Sequence, residues 1–560
     1  MNRVWILMLS LSILISSCAS RNAAQEKRGE PSMEKLNMEL KKMLFAISKE
    51  PRALTWQTEA SKIINKSTQE LASEIQSGAL SSEEVVVSFL ERIITLNPAY
   101  NAIVTLNAES ALARAREADQ ALRSGIRWGP LHGVPFTIKD TYQTAGVRTS
   151  AGYPPLKDFI PEENAVVVQR LLDAGAILLG KTNTPTLAMD MQTTNPIFGV
   201  TGNSVNPDWS AGGSSGGASV AVALRMTPFE FGSDLAGSIR LPAAFNGVYG
   251  LRPSHGLVSM RGHIPPLPTE LNGIRRMAVA GPITHTLADL EFLLRIVAGP
   301  GPGDYRVKPL QDTKKAPLSQ RPLKVVWADN LGGIPVETEI QNAMATYIEQ
   351  LANAGVSVQK GSPPDFPYEK AWETWGAFVG LQGGYEQSNF MRSLGDFFTK
   401  ATVANTPMQR KIVGPISVPG YMQAMEIQDQ CIDILERFTE PYDVFIVPVA
   451  SVTAFPHFKS TRTFGNFSVY DAPMKVNAEN IPYYVATQSY TTLFSLTESP
   501  VITLPIGHDK KGAPIGIQLV GRRFHDLELI RVAEALEQIV TPPRKVNAHA
   551  GKERSSFRVL

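Results

Sequence analysis

The chain has 560 residues, of which 43% are hydrophobic and 19% charged, so it can bury a large core. Its 43 Gly and 40 Pro residues are ordinary for a turn-rich α/β enzyme, and the composition predicts a globular protein. The 54 Lys and Arg residues nearly balance the 52 Asp and Glu residues and form no basic tract, which argues against nucleic acid as a partner.

Residues 1–17 have the pattern of a secretory signal peptide. A single positive side chain, Arg3, precedes a mostly apolar run over 4–15 that is too short to span a bilayer as a mature helix. The run ends in Ile15-Ser16-Ser17-Cys18, which resembles a bacterial lipobox. Cys18 is therefore the expected lipidation site, and the chain is predicted to be an exported, periplasm-facing lipoprotein of the bacterial cell envelope, tethered to a membrane surface. A plain cleavable signal ending near Ala19 or Ala23 is the alternative.

The next segment, 18–64, is predicted to be a polar tether followed by an amphipathic helix. Apolar residues recur at helical spacing over 35–49, a pattern that fits a helix docked on the protein or lying on a membrane. Beyond it, a single large catalytic domain is predicted over 65–540, followed by a tail over 541–560. This domain begins with predicted helices over 68–77, over 85–96 after a cap at Ser81–Glu84, and over 108–124.

From Gly129 onward short apolar runs alternate with helices. Strands are predicted over 133–138 and 176–180, and helices over 165–174 and 219–224. After a Gly/Pro-rich loop at 299–321 the alternation resumes with strands at 323–327, 356–358, 442–449, 501–505 and 515–520, and helices at 337–354, 428–438 and 525–539. This alternation predicts an α/β fold with a central mixed, largely parallel β-sheet covered by helices on both faces.

The segment 366–406 is aromatic-rich and irregular. Trp372, Trp375 and Phe378 lie about one helical turn apart, which favours a place in the core. Because helical inserts often cap active sites, the aromatic residues also suggest an apolar substrate. The only cysteines are Cys18 and Cys431, the second a predicted core filler, and no His or Cys cluster has metal-ligand spacing, so neither metal nor cofactor is expected.

One lysine and two serines carry the candidate chemistry. Lys139 ends a predicted buried strand, Ser214 lies in Gly212-Gly213-Ser214-Ser215-Gly216-Gly217, and Ser238 lies in Asp234-Leu235-Ala236-Gly237-Ser238-Ile239-Arg240. A serine hydroxyl needs a base to become nucleophilic, and burial can hold a lysine neutral for that role. Asp140 is adjacent, but neighbours on a strand point to opposite faces, so it need not pair with Lys139.

These motifs resemble those of the amidase signature family, whose hallmark is GGSSGG followed about two dozen residues later by DxxGSxR. Ser214 and Ser238 are 24 residues apart, which agrees with that pattern. Further family-like segments occur in family order and extend the resemblance over most of 65–540: 131–135, 180–185, 249–254, 442–444 and 514–521.

The resemblance implies a role for each residue. Ser238 would be the nucleophile, Ser214 a proton relay across a cis peptide bond, and Lys139 the general base. The backbone amides of Leu235, Ala236, Gly237 and Ser238 would form the oxyanion hole, with the loops shaped by Gly212, Gly213, Asp234 and Arg240. Ala236 stands where the family more often has glycine, which leaves the amide donor in place. The implied reaction is hydrolysis of a small linear amide to a carboxylate and ammonia or an amine.

Other functions remain open at this point. Gly212–Gly216 also fits GxSxG, so Ser214 could be the nucleophile of an α/β-hydrolase-like esterase with His457 or His525 as base. A non-catalytic scaffold is a second alternative. Within the family, the ammonia-liberating component of transfer-RNA-dependent amidation fits poorly with a secretory signal. Lys181 completes a GxxxxGK[ST] match, but the residues between its glycines form the strand itself. Fatty, peptide C-terminal, aryl and small aliphatic amides are all possible substrates.

Overall fold

The computed structural model describes residues 60–268, 276–301, 306–312, 321–384, 417–464 and 467–540, together with residues 304, 393, 406, 412, 414 and 415. The predicted signal peptide, Cys18, the helix over 35–49 and the tail over 541–560 lie outside the described residues. Among the helices that are described, none is long and apolar enough to cross a membrane.

Three helices open the described chain: α1 (Thr68–Ser77), α2 (Ser82–Tyr100) and α3 (Ala108–Arg123). The predicted cap at Ser81 is confirmed, because its side chain accepts from the Glu84 amide while Glu84 bonds back to the Ser81 amide. Ser67 and Glu70 form the same reciprocal pair at the start of α1. These polar caps explain why the helix starts can be recognised in the sequence.

An eleven-stranded sheet forms the centre of the protein. In chain order the seventeen described strands are β1 (Ile103–Leu106), β2 (Pro135–Lys139), β3 (Ile177–Thr182), β4 (Thr194–Asn195), β5 (Gly199–Val200), β6 (Phe229–Asp234), β7 (Tyr249–Arg252), β8 (Val279–Thr284), β9 (Lys324–Trp327), β10 (Ser357–Lys360), β11 (Val444–Pro448), β12 (Arg462–Phe464), β13 (Phe467–Val469), β14 (Met474–Val476), β15 (Glu479–Ile481), β16 (Val501–His508) and β17 (Pro514–Val520). The large sheet has the order β1-β3-β2-β6-β8-β7-β16-β17-β11-β9-β10, and the other six strands pair as β4-β5, β12-β13 and β14-β15.

The mixed α/β sheet predicted from the sequence is confirmed. Its parallel pairings join β3, β2 and β6 on one flank and β11, β9 and β10 on the other. Between these flanks, every pairing from β6 to β11 is antiparallel. The strand–helix–strand alternation is therefore a guide to the flanks, while the middle of the sheet is built from strands that reverse direction.

Helices cover both faces of this sheet, as predicted. The remaining helices are α4 (Val166–Asp173), α5 (Gly216–Ala223), α6 (Arg240–Asn246), α7 (Leu287–Val297), α8 (Thr338–Asn353), α9 (Tyr368–Gly384), α10 (Val418–Thr439), α11 (Tyr483–Leu496) and α12 (Asp526–Ile539). The expectation of an irregular segment after 366 is wrong for its first part, because α9 is a regular helix. Trp372, Trp375 and Phe378 are all buried within it, as their helical spacing predicted.

The fold brings the candidate residues to one edge of the sheet. Strands β2 and β6 are parallel neighbours, so Lys139 and Asp234, their last residues, lie at the same edge. Helix α5 begins at Gly216, two residues after Ser214, and α6 begins at Arg240, two residues after Ser238. Two helix starts and two strand ends therefore meet at this place.

Candidate active site

Lys139 is fully buried and its amine contacts two serine hydroxyls. The Nζ donates to Ser214 Oγ at 2.6 Å and to Ser233 Oγ at 3.0 Å. No carboxylate oxygen among the described residues lies within ion-pair distance of Nζ. The lysine is thus held by neutral groups that can accept a hydrogen bond or, when Nζ is deprotonated, donate one.

The surroundings of Lys139 favour its neutral form. Burial lowers its pKa to about 7, against the opposing charges of Asp234 and Glu230. Asp140 faces away, as predicted: its Oδ2 accepts from the Ser150 amide at 3.1 Å and from the Ser150 hydroxyl at 2.7 Å. A substantial fraction of the lysine is therefore unprotonated near neutral pH.

Ser214 is held by a glycine segment that allows close backbone packing. The Gly213–Ser214 peptide bond is cis. A Cβ at Gly213 would lie 2.6 Å from the Asp190 carbonyl oxygen, and one at Gly212, where φ is 75°, would lie 2.8 Å from the Cα of Pro242. Any side chain at these two positions would push the segment away from its neighbours, so the glycines fix the place of the Ser214 hydroxyl.

Ser238 lies beside this segment. The Ser215 amide donates to the Ser238 carbonyl at 3.0 Å, which ties the two serine-bearing loops together through their backbones. The Ser238 side chain is 6% exposed, and its hydroxyl has no hydrogen-bond partner within the described part of the chain. In contrast to the Oγ of Ser214, this oxygen thus has no hydrogen-bond partner among the described residues.

The loop from Asp234 to Ser238 presents three unpaired backbone amides. Those of Leu235, Ala236 and Ser238 have no hydrogen-bond partner among the described residues, whereas the Gly237 amide donates to Asp234 Oδ1 at 2.9 Å. Gly237 has φ of 112°, and a Cβ there would lie 2.5 Å from Thr491 Oγ1. The Gly237 amide, which was also expected in the oxyanion hole, therefore bonds within the loop in this structure and stabilises it.

Asp234 and Arg240 form a buried ion pair that fixes the loop. Arg240 donates to Asp234 Oδ1 at 2.8 Å through Nη2 and to Oδ2 at 3.0 Å through Nε. Burial alone would raise the pKa of Asp234, but Arg240 and the nearby Arg252 hold it well below its usual range. The other guanidinium protons of Arg240 reach the Thr491 carbonyl and the side chains of Ser495 and Gln518.

Two polar neighbours of Lys139 were not identified from the sequence. Ser233 contacts its amine, and Glu230 lies on the same strand with its carboxyl bonded to Thr137 and, at 3.1 Å, to Thr182. Burial raises the pKa of Glu230 to about 8. The sequence contained one signal that could have identified these two residues. A Glu at 230 and a Ser at 233 are unusual within an apolar run that forms a buried strand.

The residues of the alternative interpretations lie elsewhere. The His457 ring contacts the Pro207 carbonyl and the His525 ring contacts Glu528, so neither bonds to Ser214. The residues before Gly212 form a loop and not a strand, unlike a nucleophile elbow. Lys181 lies inside β3, fully buried, and donates to the hydroxyls of Thr144 and Thr149 at 2.9 Å and 3.1 Å, which leaves no phosphate cradle.

The fold and the site together define a class of protein. It is an α/β enzyme with a buried lysine–serine pair beside the loop from Asp234 to Ser238, which we call the amide-rich loop because three of its backbone amides have no partner among the described residues. A sequence profile of the Amidase family matches residues 84–530, and the chain belongs to this family, the amidase signature enzymes. It is accordingly a hydrolase that acts on amides.

Several known proteins are similar over nearly their whole length. An acylamidase of Rhodococcus erythropolis is 32% identical, covering 84% of this chain and 95% of the relative. A subunit of the glutamyl-tRNA(Gln) amidotransferase of Thermosynechococcus vestitus is 31% identical, covering 84% and 97%. The crystal structure of a bacterial aryl acylamidase of the amidase signature family matches with a TM-score of 0.72 at 25% identity, covering 87% and 99%.

Proposed function

We propose that the protein hydrolyses the C–N bond of linear carboxylic amides through an acyl-enzyme formed on Ser238. The contact that carries this proposal is the buried hydrogen bond of 2.6 Å between Lys139 and Ser214. This contact places the Lys139 amine, with its lowered pKa, against the Ser214 hydroxyl. The hydroxyl of Ser238 nearby has no hydrogen-bond partner among the described residues. A Ser-Ser-Lys arrangement of this kind needs no histidine.

In the first half of the reaction, Ser238 Oγ bonds to the substrate carbonyl carbon. Its proton passes to Ser214, whose own proton passes to the neutral amine of Lys139. The carbonyl oxygen becomes an oxyanion, which the amides of Leu235, Ala236 and Ser238 stabilise. When the C–N bond breaks, the Lys139 proton returns through Ser214 to the leaving nitrogen, so ammonia or an amine departs neutral.

In the second half, water attacks the acyl carbon of the ester on Ser238. The water proton follows the same route through Ser214 to Lys139, and it returns to Ser238 Oγ when the ester bond breaks. The products are the free enzyme and a carboxylic acid, which ionises at neutral pH. No metal or cofactor takes part in this scheme.

An apolar acyl group is the substrate feature that we propose. The Ala236 side chain, on the amide-rich loop, packs against a buried cluster that includes Met191, Tyr470 and Tyr483. Tyr470 and Tyr483 stack at 4.0 Å between ring centroids and both hydroxyls donate to Asp190, so the surroundings of the Ala236 side chain are mainly apolar.

A pH-resolved labelling experiment tests the proposal. An alkyl fluorophosphonate should form one covalent adduct, located by mass spectrometry on Ser238. Because the pKa of Lys139 is about 7, the labelling rate should rise with pH through about 7 and be about tenfold lower at pH 6 than at pH 8. The labelling rate rises with pH because Lys139 acts as a base only when unprotonated, and it is mostly protonated below this pKa.

The position of the adduct separates the proposal from its alternatives. An adduct on Ser214 that is lost in the His525→Ala or His457→Ala variant would identify the esterase alternative. A folded protein that takes up no label at any pH would support the scaffold. Under the proposal both histidine variants label at the wild-type rate, because neither ring contacts the site.

We also propose that the protein is a lipoprotein anchored through Cys18 at the bacterial cell envelope, on the basis of the lipobox-like sequence alone. Replacing Cys18 with Ser should move the protein from the membrane fraction to the soluble fraction of a bacterial host. It should also abolish incorporation of radiolabelled palmitate. Unchanged fractionation with no palmitate in the wild-type protein would instead indicate the plain cleavable signal.

A further inference from the structure

Two side chains from outside the amide-rich loop hold two of its consecutive carbonyl groups. The indole N–H of Trp375, on α9, donates to the Leu235 carbonyl at 3.1 Å. The hydroxyl of Thr491, on α11, donates to the Ala236 carbonyl at 2.5 Å. Neither residue belongs to the motifs that carry the proposed chemistry, yet both bond to the loop that would surround the oxyanion.

Each of these bonds fixes the orientation of a whole peptide unit. In a planar trans peptide the N–H points opposite to the C=O, so holding the Leu235 carbonyl aims the Ala236 amide in the other direction. Holding the Ala236 carbonyl likewise aims the Gly237 amide, which meets Asp234 Oδ1 at 2.9 Å. The 236–237 peptide is therefore held at both its carbonyl and its amide, whereas the 235–236 peptide is held only at its carbonyl.

Among the described residues, the single hydrogen-bond partner of the 235–236 peptide is Trp375. The Ala236 amide has no hydrogen-bond partner among the described residues, so within them only the indole holds this peptide plane. The indole itself is well placed to do so, because it is 4% exposed and lies on a regular helix. One turn earlier Trp372 donates to the Ser489 carbonyl at 3.0 Å, which ties α9 to α11.

We infer that Trp375 is a positioning residue for the oxyanion hole, orienting the Ala236 amide toward the carbonyl oxygen of the substrate. The inference depends on the proposed serine mechanism, because it gives that amide its role. Without the indole N–H, the 235–236 peptide is free to rotate, and the amide must be reordered each time the oxyanion forms. Substrate binding before the chemical step does not require that order.

The variant Trp375→Phe removes the donor and keeps an aromatic ring, and Trp372→Phe is its matched control. Trp375→Phe should lower kcat at least about tenfold with KM changed less than about twofold, since loss of one oxyanion donor costs about 100-fold to 1000-fold in rate. The Ki of a trifluoromethyl ketone, whose adduct carries an oxyanion, should rise by the same factor as kcat/KM falls. Trp372→Phe should leave both values within about twofold of wild type.

Equal losses in the two variants would overturn the inference, because they would reflect only the packing of α9. So would a rise in KM at constant kcat, or an unchanged Ki for the ketone. If Trp375→Phe does not fold, β-(3-benzothienyl)alanine at this position keeps the indole shape and removes only the N–H, and the same measurements apply. If Ser238→Ala remains active, the serine mechanism itself fails. If it is inactive while Trp375→Phe behaves as wild type, only the role of Trp375 fails.

Discussion

Replacing Ser238 with alanine should lower kcat for amide hydrolysis by about 10⁴-fold or more, the usual effect of removing a serine nucleophile. The variant keeps Lys139, Ser214 and the loop amides, but no oxygen remains to form the acyl-enzyme. Because the Ser238 hydroxyl makes no hydrogen bond in the described structure, its removal should leave the free energy of unfolding nearly unchanged. Single-turnover hydrolysis of a chromogenic anilide, with intact-mass detection of the acyl adduct, measures both the rate and the intermediate.

Ser219→Ala provides the matched control for this variant. Ser219 is buried in α5, five residues after Ser214, and its hydroxyl has no hydrogen-bond partner in the described residues. Its removal should change kcat by less than about twofold. A Ser238→Ala enzyme that retains more than a tenth of the wild-type kcat would contradict the proposed nucleophile. Residual turnover that disappears only when Ser214 is also replaced would identify Ser214 as the attacking group.

Much of the periphery of the fold could be predicted from the sequence, because it depends on local signals. Helix α1 has the predicted bounds, and α3 ends one residue before its predicted end, since apolar periodicity and capping residues are contiguous in the chain. Strands β2 and β3 were also predicted within two residues at each end. Their apolar runs are bounded by glycine or by a charged residue, which makes them easy to recognise.

Three strands in the middle of the sheet, β6, β7 and β8, were not predicted, and the reason is physical. Strand β6 carries a glutamate and ends in an aspartate, β7 includes an arginine, and β8 includes Gly281 and Pro282. Such residues are polar or disfavoured in strands and are tolerated here only because distant parts of the chain satisfy them. Arg252, for example, bonds to the carbonyls of Ser499 and Met277, contacts that no local sequence window contains.

The same distinction applies to the candidate site. Lys139, Ser214 and Ser238 were identified because glycine-rich motifs surround the serines and the lysine ends a strand. Ser233 and Thr491 were not identified, and Trp375 was predicted only to lie in the core, because the importance of these residues lies in which backbone or amine atom they reach across the fold. Sequence thus specifies the reacting groups, whereas the groups that orient them become visible only in three dimensions.

Asp234→Asn should be the most destabilising of the changes considered, lowering the free energy of unfolding by about 3–5 kcal/mol. The Asp234 carboxylate accepts from Arg240 and from the amides of Gly237 and Ile239, all within the buried core of the site. Asparagine brings an NH₂ group to face donors and leaves the positive charge of Arg240 buried without a counter-ion. Arg252, at 3.8 Å, loses the same partner.

The exposed pair between Asp433 and Arg437 supplies the control, because Asp433→Asn makes the same chemical change at a side chain that is 62% exposed. That variant should shift the free energy of unfolding by about 0.5 kcal/mol or less. Urea titrations followed by tryptophan fluorescence and circular dichroism measure both variants, and coincident curves validate the comparison. Asp234→Asn should also lower kcat by more than about 100-fold at temperatures where it remains folded, since the released Gly237 amide lets the loop reorient. A stable Asp234→Asn protein with nearly full activity would mean that the Trp375 and Thr491 bonds alone are sufficient to hold the loop.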